Sequence, residues 1–211
     1  MEIQRLHPLS QTEIQGRDPC FLKPLFEKGF KTRPHERLGP KLAEMVAKGG
    51  YPSALARSTA RRRAAWYRDY VETLVQRDVR DLARIRSLDT LPRLLSLAAG
   101  QTATLINVSD LAGPFQVSRP TIREYVTLLT GVFLLEELSA WHNNRLKRLV
   151  KTPKLHLSDT GLACALLGLG AEALWEDRTA FGRLLETFVV QELRNRPTLP
   201  GGGRGGEGSA A

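Results

Sequence analysis

Apolar residues recur with helical spacing along much of the chain, most clearly in residues 107–129. A short helix that buries Val108 and Leu111 is predicted there, and Gly113-Pro114 then turns the chain. Ser118 is placed to cap a second helix, with Pro120 in its first turn. The apolar stripe of this second helix consists of Ile122, Tyr125, Val126 and Leu129. The pattern predicts a helix-turn-helix whose other face is free to meet a partner and carries Arg119, Arg123, Glu124 and Thr127.

The elements around the helix-turn-helix complete the pattern of a winged helix. A helix is predicted to begin at Leu91 and to end near Gly100, and two strands are predicted in residues 131–138 and 148–157. The second strand region has no acidic residue before Asp159, so the wing is predicted to be a positive patch. Its basic residues are Arg145, Lys147, Arg148, Lys151 and Lys154.

The part of the chain before the winged helix is predicted to be mostly helical. Residues 3–9 have the pattern of a short strand, and Ser10-Gln11-Thr12-Glu13 forms a capping box that opens a helix. No other stretch among the first hundred residues reads as a strand, so the partner strands are expected upstream, in polypeptide that this chain does not contain.

Two further helices are predicted before residue 90. One begins at Pro40 and is ended by Gly49-Gly50, and the other spans residues 59–85 without glycine or proline. The apolar side of the longer helix is predicted to consist of Trp66, Tyr70, Leu74 and Val79.

The end of the chain changes character within a few residues. Ser158-Asp159-Thr160-Gly161 caps a predicted helix through Leu167, and another helix is predicted from Gly182 to about Leu193. The glycine-rich tail from Pro197 cannot bury a core and is expected to be disordered. The abrupt change suggests that a natural end was lost by truncation or a change of frame.

Composition bounds the class of protein. The 211 residues are 42% hydrophobic and 25% charged, as in a globular protein of one large or two small domains. No run approaches the roughly 18 apolar residues of a membrane span, and a secretion signal is not recognised, so a cytoplasmic protein without membrane contact is expected. The net charge of +9 favours an anionic partner such as DNA, with a solvated basic surface as the alternative.

Catalytic side chains do not form a constellation in the sequence. The four histidines lie in unrelated segments without a nucleophile beside them, and Cys20 and Cys164 lack a second ligand at metal-binding spacing. No G-x-x-x-x-G-K-[ST] loop is present to hold phosphates, so ATP hydrolysis by this chain is not expected.

Several short motifs occur in a fixed order. They are Arg5-Leu6-His7-Pro8-Leu9-Ser10, Gly49-Gly50-Tyr51-Pro52, Tyr67-Arg68-Asp69-Tyr70, Arg77-Asp78-Val79, the helix-turn-helix, Lys151-Thr152-Pro153-Lys154, Ser158-Asp159-Thr160-Gly161-Leu162 and Gly182-Arg183-Leu184-Leu185-Glu186-Thr187-Phe188-Val189. Together they resemble the prokaryotic AAA-type ATPases that end in a conserved C-terminal domain of unknown function. The likeness covers residues 3–196.

The resemblance implies a fold that is mainly α with a small β component. Full-length members consist of a P-loop ATPase, a winged helix and a nuclease-like fold, and this chain is similar to the middle. The implied parts are the end of an ATPase core (1–37), lid-like helices (38–90), a winged helix (91–158), the first helices of a truncated nuclease-like domain (159–196) and a disordered tail (197–211).

The resemblance also implies roles for single residues. Gly50, Tyr51 and Pro52 are similar to a lid turn that lies beside the nucleotide base in related ATPases. Glu186 is similar to an acidic residue that helps to hold a catalytic metal, but a metal-dependent nuclease needs further carboxylates and a lysine, so a vestigial role is expected. ATP and Mg²⁺ are implied for the full-length family, and no cofactor is expected for this chain.

Three hypotheses for function remain open. In the first, Arg119, Thr121 and Arg123 enter the major groove of DNA, while Lys147, Arg148, Lys151 and Lys154 contact phosphates. In the second, the winged helix is an interdomain or oligomerisation module without DNA contact, which the acidic Glu124 among the arginines favours. In the third, the chain works with a separately encoded ATPase half.

Overall fold

The protein is described by a computed structural model at residues 7–17, 25, 37–79, 88–143 and 151–194. The helices in this part of the chain are α1 (Gln11–Ile14), α2 (Pro40–Lys48), α3 (Pro52–Leu55), α4 (Ala60–Leu74), α5 (Thr90–Gly100), α6 (Val108–Ala112), α7 (Arg119–Gly131), α8 (Thr160–Leu167), α9 (Ala171–Glu176) and α10 (Arg178–Arg194). The strands are β1 (Thr104–Leu105), β2 (Leu135–Leu138) and β3 (Lys154–Leu157). The predicted class, mainly α with a small β component, is confirmed.

Local capping signals set several helix boundaries where the sequence predicts them. In the capping box of α1, Glu13 N donates to Ser10 Oγ at 3.3 Å and Ser10 N donates to the Glu13 carboxylate at 2.7 Å. Ser118 Oγ accepts from Thr121 N at 3.2 Å and begins α7. These interactions satisfy backbone N–H groups that have no partner within the first helical turn.

The N-terminal strand is not observed in the described part of residues 3–9. His7, Pro8 and Leu9 belong to no strand, and Leu9 N donates instead to the carbonyl of Gly50 at 2.8 Å. The remaining residues of that predicted strand, the C-terminal tail and Cys20 lie outside the described residues. Cys164 is buried as expected, and burial raises the pKa of its thiol to about 12.

Helix α8 lies at the centre of the packing and contacts α2, α4, α5, α10 and β3. Its first six residues, from Thr160 to Ala165, are all buried. A helix with every face covered needs apolar or small side chains all round, and this sequence supplies them. The buried apolar residues form a cluster that extends from Ala43 to Phe188.

Of the long helix predicted over residues 59–85, the described part is a regular α-helix from Ala60 to Leu74, and residues 80–85 lie outside the described residues. The helix begins after Thr59, whose side chain caps it, and passes into a π-helical turn at Val75–Val79. Val79 is buried as predicted, but before it the buried side is shifted by one position, because α8 packs along the neighbouring stripe. That buried stripe consists of Tyr67, Val71, Val75 and Val79, while Trp66, Tyr70 and Leu74 are only partly buried beside it.

Among the described residues, elements α5 to β3 follow the order helix, strand, helix, helix, strand, strand, with a short 3-10 helix at Gly113–Phe115 between α6 and α7. Strand β3 lies between β1 and β2 and is antiparallel to both, with Leu135 opposite Leu157 and Thr104 opposite Leu155. The sequence did not predict the two-residue β1. The strand predicted over residues 131–138 is shorter than expected and begins at Leu135. Helix α7 runs to Gly131, and Phe133 then turns the chain with φ of 61°.

Candidate nucleic-acid interface

Helix α7 separates its two faces as predicted. Ile122, Tyr125, Val126 and Leu129 are buried, whereas Arg119, Arg123, Glu124 and Thr127 are exposed. Thr121 is half-buried, and its hydroxyl lies 2.8 Å from Ser118 Oγ, so this side chain takes part in the helix cap. The arginines of the free face lie one turn apart, which places both guanidinium groups on the same side of the helix.

Arg123 is paired with a carboxylate from the neighbouring strand. Its Nη1 lies 3.3 Å from Oε1 of Glu137 in β2. The adjacent Glu136 is buried, contacts Arg194 of α10 and lies 3.9 Å from Nδ1 of His7. The surface beside α7 is therefore a mosaic of both signs rather than a uniform basic face.

The described residues of the predicted wing differ in their partners. Lys151 is exposed and forms no ion pair with any residue that the structure describes. Lys154 Nζ lies 2.5 Å from Oε1 of Glu186, which belongs to α10. Lys147 and Arg148 lie outside the described residues. The sequence of the predicted wing lacks an acidic residue, but the tertiary structure places Glu186 against Lys154.

Glu186, the predicted vestigial metal ligand, is the carboxylate of this ion pair. The Glu186 carboxylate accepts from the ammonium group of Lys154. Within residues 7–17, 25, 37–79, 88–143 and 151–194, no group of three or more His, Cys, Asp or Glu side chains could hold a metal ion.

The predicted lid turn, Gly50-Tyr51-Pro52, makes contacts inside the protein. Gly50 N donates to Oδ2 of Asp159 at 2.6 Å, and Pro52 opens α3. The Tyr51 ring packs on Trp66, Tyr67 and Tyr70 at centroid distances of 5.8, 6.0 and 5.2 Å. Burial raises the pKa of the Tyr51 hydroxyl. The turn thus has a structural role in the described contacts.

Asp159 joins this turn to the central helix. It is fully buried, and its Oδ1 accepts from Leu162 N at 2.8 Å as the cap of α8. Burial raises the pKa of this carboxyl group, although N–H donation from Gly50 and Leu162 opposes the shift. Tyr67 is buried beside it, and its hydroxyl donates to the carbonyl of Lys48 at 3.2 Å. Several sequence motifs therefore meet at one structural junction.

A cleft of about 770 Å³ is lined by Tyr67 and by residues of α2, α4, α8 and α9. Its rim carries Lys48, Arg61, Arg63 and Arg68, but also Glu44 and Glu172. Lys48 lies 3.9 Å from Glu44, and Arg63 donates to the carbonyl of Arg57 at 3.1 Å. The cleft therefore carries charges of both signs, as the surface beside α7 does.

Sequence reasoning missed the acidic partners of the interface, Glu137 and Glu186. They are 14 and 32 positions from Arg123 and Lys154. No i,i+4 spacing or local charge run relates the members of either pair. Only the pairing of β2 beside α7 and the packing of α10 near β3 could reveal them.

Residues 39–173 match the family described as Domain of unknown function (DUF8612), and the chain belongs to that family. It is similar to uncharacterized protein Mb2031c of Mycobacterium bovis and to uncharacterized protein Rv2008c of Mycobacterium tuberculosis, at 30% identity over 146 residues in each case. These alignments cover 69% of this chain and 33% of each relative, so the chain spans about a third of the length of the curated relatives it matches. No solved structure matches the chain.

None of the helices in the described ranges is both long and apolar enough to cross a bilayer.

Proposed function

We propose that this chain binds duplex DNA through a winged helix formed by α5, β1, α6, α7, β2 and β3, with α7 as the recognition helix. The order of these elements and the central position of β3 in the sheet support the assignment. A recognition helix must be held rigidly on one side while its other side enters the major groove. The buried stripe and the exposed opposite face of helix α7 support this role.

The observation that carries the proposal is the exposure of Arg119 and Arg123 on a helix whose opposite stripe is fully packed. Arginine suits this role because its planar donors bind guanine edges or phosphates in pairs. Lys151 and Lys154 follow on the wing, where they would contact the phosphate backbone. The net charge of +9 adds a long-range attraction to DNA.

We further propose that the chain corresponds to part of a longer ATP-binding protein of the AAA type. Residues 38–90 would be its lid-like helices, and residues 159–196 would begin its nuclease-like domain. The support is the ordered set of motifs together with relatives of which the chain covers only 33%. In that arrangement ATP and Mg²⁺ would be bound by other parts of the longer protein.

The alternative is an interdomain module that does not touch DNA. One observation favours it: two cations of the interface, Arg123 and Lys154, are already paired with carboxylates. A cation that already has a carboxylate partner attracts a DNA phosphate less strongly. A partner could be the ATPase part of a split protein or a second copy of this chain.

Duplex binding by the double variant Arg119→Ala plus Arg123→Ala distinguishes these functions. We expect its affinity to fall roughly tenfold or more, with a salt dependence shallower by about one to two units of slope. Fluorescence anisotropy with a labelled duplex, measured across salt concentrations, gives both quantities. Both residues are exposed, so the fold should be retained.

Arg61→Ala plus Arg68→Ala is the matched control, because it removes the same charge from the exposed side of α4. Equal losses in both double variants would indicate unspecific attraction and would argue against recognition by α7. Absence of wild-type binding up to high micromolar protein would favour the interdomain alternative.

A further inference from the structure

We propose that Glu137 and Glu186 weaken DNA binding by pairing with two cations of the proposed interface, an effect that we term an electrostatic brake. Each carboxylate holds one cation of the proposed interface in an ion pair that a DNA phosphate has to replace. This inference rests on the proposed function and adds to it two affinity-setting residues that lie outside the recognition helix and the wing.

The geometry of both pairs fits a reversible brake. Arg123 Nη1 lies 3.3 Å from Glu137 Oε1, and Lys154 Nζ lies 2.5 Å from Glu186 Oε1. The Arg123 and Lys154 side chains are 48% and 39% exposed, so a phosphate can reach both cations. Exposed ion pairs contribute little free energy, and exchange of one anion for another is therefore feasible.

The four described cations of the interface fall into two classes. Arg123 and Lys154 are paired, whereas Arg119 and Lys151 form no ion pair with a described residue. The unpaired cations are expected to make the first contacts with DNA. The paired ones then contribute less, because each brings a carboxylate close to the phosphates.

Counterion release gives the brake a measurable signature. A cation that is neutralised by its own carboxylate displaces fewer ions from DNA, so the slope of affinity against salt is reduced. Removing the carboxylate charge should therefore raise both the affinity and the magnitude of this slope. Glu186 lies on α10, so its pair with Lys154 also connects the wing to a helix outside the DNA-binding unit.

Duplex affinity of the full chain carrying Glu137→Gln or Glu186→Gln tests the inference. Each variant should bind about two- to fivefold more tightly than the wild type, with a steeper salt dependence. Glu72→Gln is the matched control, because Glu72 is exposed on α4, outside the proposed interface, and has no ion pair with a described residue. Thermal unfolding shows whether each variant retains the fold.

A double-mutant cycle separates pairing from a general change in charge. In an Arg123→Ala background, Glu137→Gln should no longer tighten binding, and in a Lys154→Ala background the same should hold for Glu186→Gln. Unchanged affinity of both glutamine variants would overturn the brake while leaving DNA binding in place. Equal tightening in Glu72→Gln, or tightening that persists without the paired cation, would overturn it as well. If neither the wild type nor any variant binds DNA, the proposed function itself falls, and the brake with it.

Discussion

Gly49 occupies a backbone conformation that other residues cannot adopt without strain. Its φ of 69° and ψ of −164° lie in a region that is essentially restricted to glycine. A Cβ atom at this position would lie 2.2 Å from Oδ1 of the buried Asp159. The conformation lets the end of α2 approach the cap of α8, so that Gly50 N can reach the carboxylate.

Gly49→Ala is therefore expected to destabilise the protein by about 3 kcal/mol, since it combines backbone strain with displacement of a buried carboxylate. Chemical denaturation gives the free energy of unfolding. Gly182→Ala is the matched control: Gly182 lies inside α10, has no heavy atom within 4 Å of an added Cβ, and should gain roughly 0.5–1 kcal/mol. A Gly49→Ala variant as stable as Gly182→Ala would show that the junction around Asp159 tolerates a side chain at position 49.

At the scale of elements, α7 illustrates how local signals and packing combine. Its start is set by the Ser118 cap, and its four apolar positions are the ones that the sequence predicts to be buried. Helix α4 shows the limit of such reasoning. Its predicted apolar side was displaced by one position because the location of α8, and not the hydrophobicity of Trp66 or Tyr70, decides which stripe is covered.

Ser118→Ala should cost about 1 kcal/mol of stability, because the first turn of α7 loses the oxygen that accepts from Thr121 N. The variant should also weaken DNA binding slightly, since Arg119 is the first residue of that turn. Ser109→Ala serves as the control, because Ser109 is exposed in α6 and should be neutral within about 0.5 kcal/mol. A Ser118 variant as stable as wild type would mean that packing alone fixes the start of α7.

At the scale of the whole molecule, a buried polar network joins three parts of the chain. Thr187 Oγ1 of α10 lies 2.8 Å from Thr102 Oγ1, after α5, and 3.0 Å from Nδ1 of His156 in β3. Leu157 N donates to Thr102 Oγ1 at 3.2 Å. Burial lowers the pKa of His156, an effect that nearby Glu186 opposes and Arg194 and Lys154 reinforce.

Stability should consequently depend on pH through His156. Its lowered pKa means that the folded state binds the proton less tightly than the unfolded state, whose pKa is near 6.5. The stabilising contribution of neutral His156 is complete above that pH and is lost as the pH falls below it, by at most about 1.4 kcal/mol per pH unit. Denaturation between pH 5 and pH 8 measures this dependence.

The variant His156→Gln should show a flatter profile over the same range, because it has no imidazole to protonate. Asp159 contributes in the opposite direction, since its raised pKa favours protonation of the folded state as the pH falls. The comparison between variant and wild type cancels that contribution. Identical profiles would assign the pH dependence to groups other than His156.

The sequence alone determined the elements that depend on neighbouring residues. The capping box at Ser10, the two faces of α7 and the Asp159 cap of α8 rest on residues three or four positions apart, and the structure has all three. Interactions at this distance form within one helical turn, so the order of side chains is sufficient to specify them.

Only the tertiary structure decided what these elements contact. The meeting of Gly50 with Asp159, 109 positions apart, and the ion pairs of Arg123 and Lys154 arise from how helices and strands pack. Packing depends on the shapes of surfaces that distant segments present to each other, and no local spacing records it. For the same reason, the sequence predicted the cations of the interface but not the carboxylates that hold two of them.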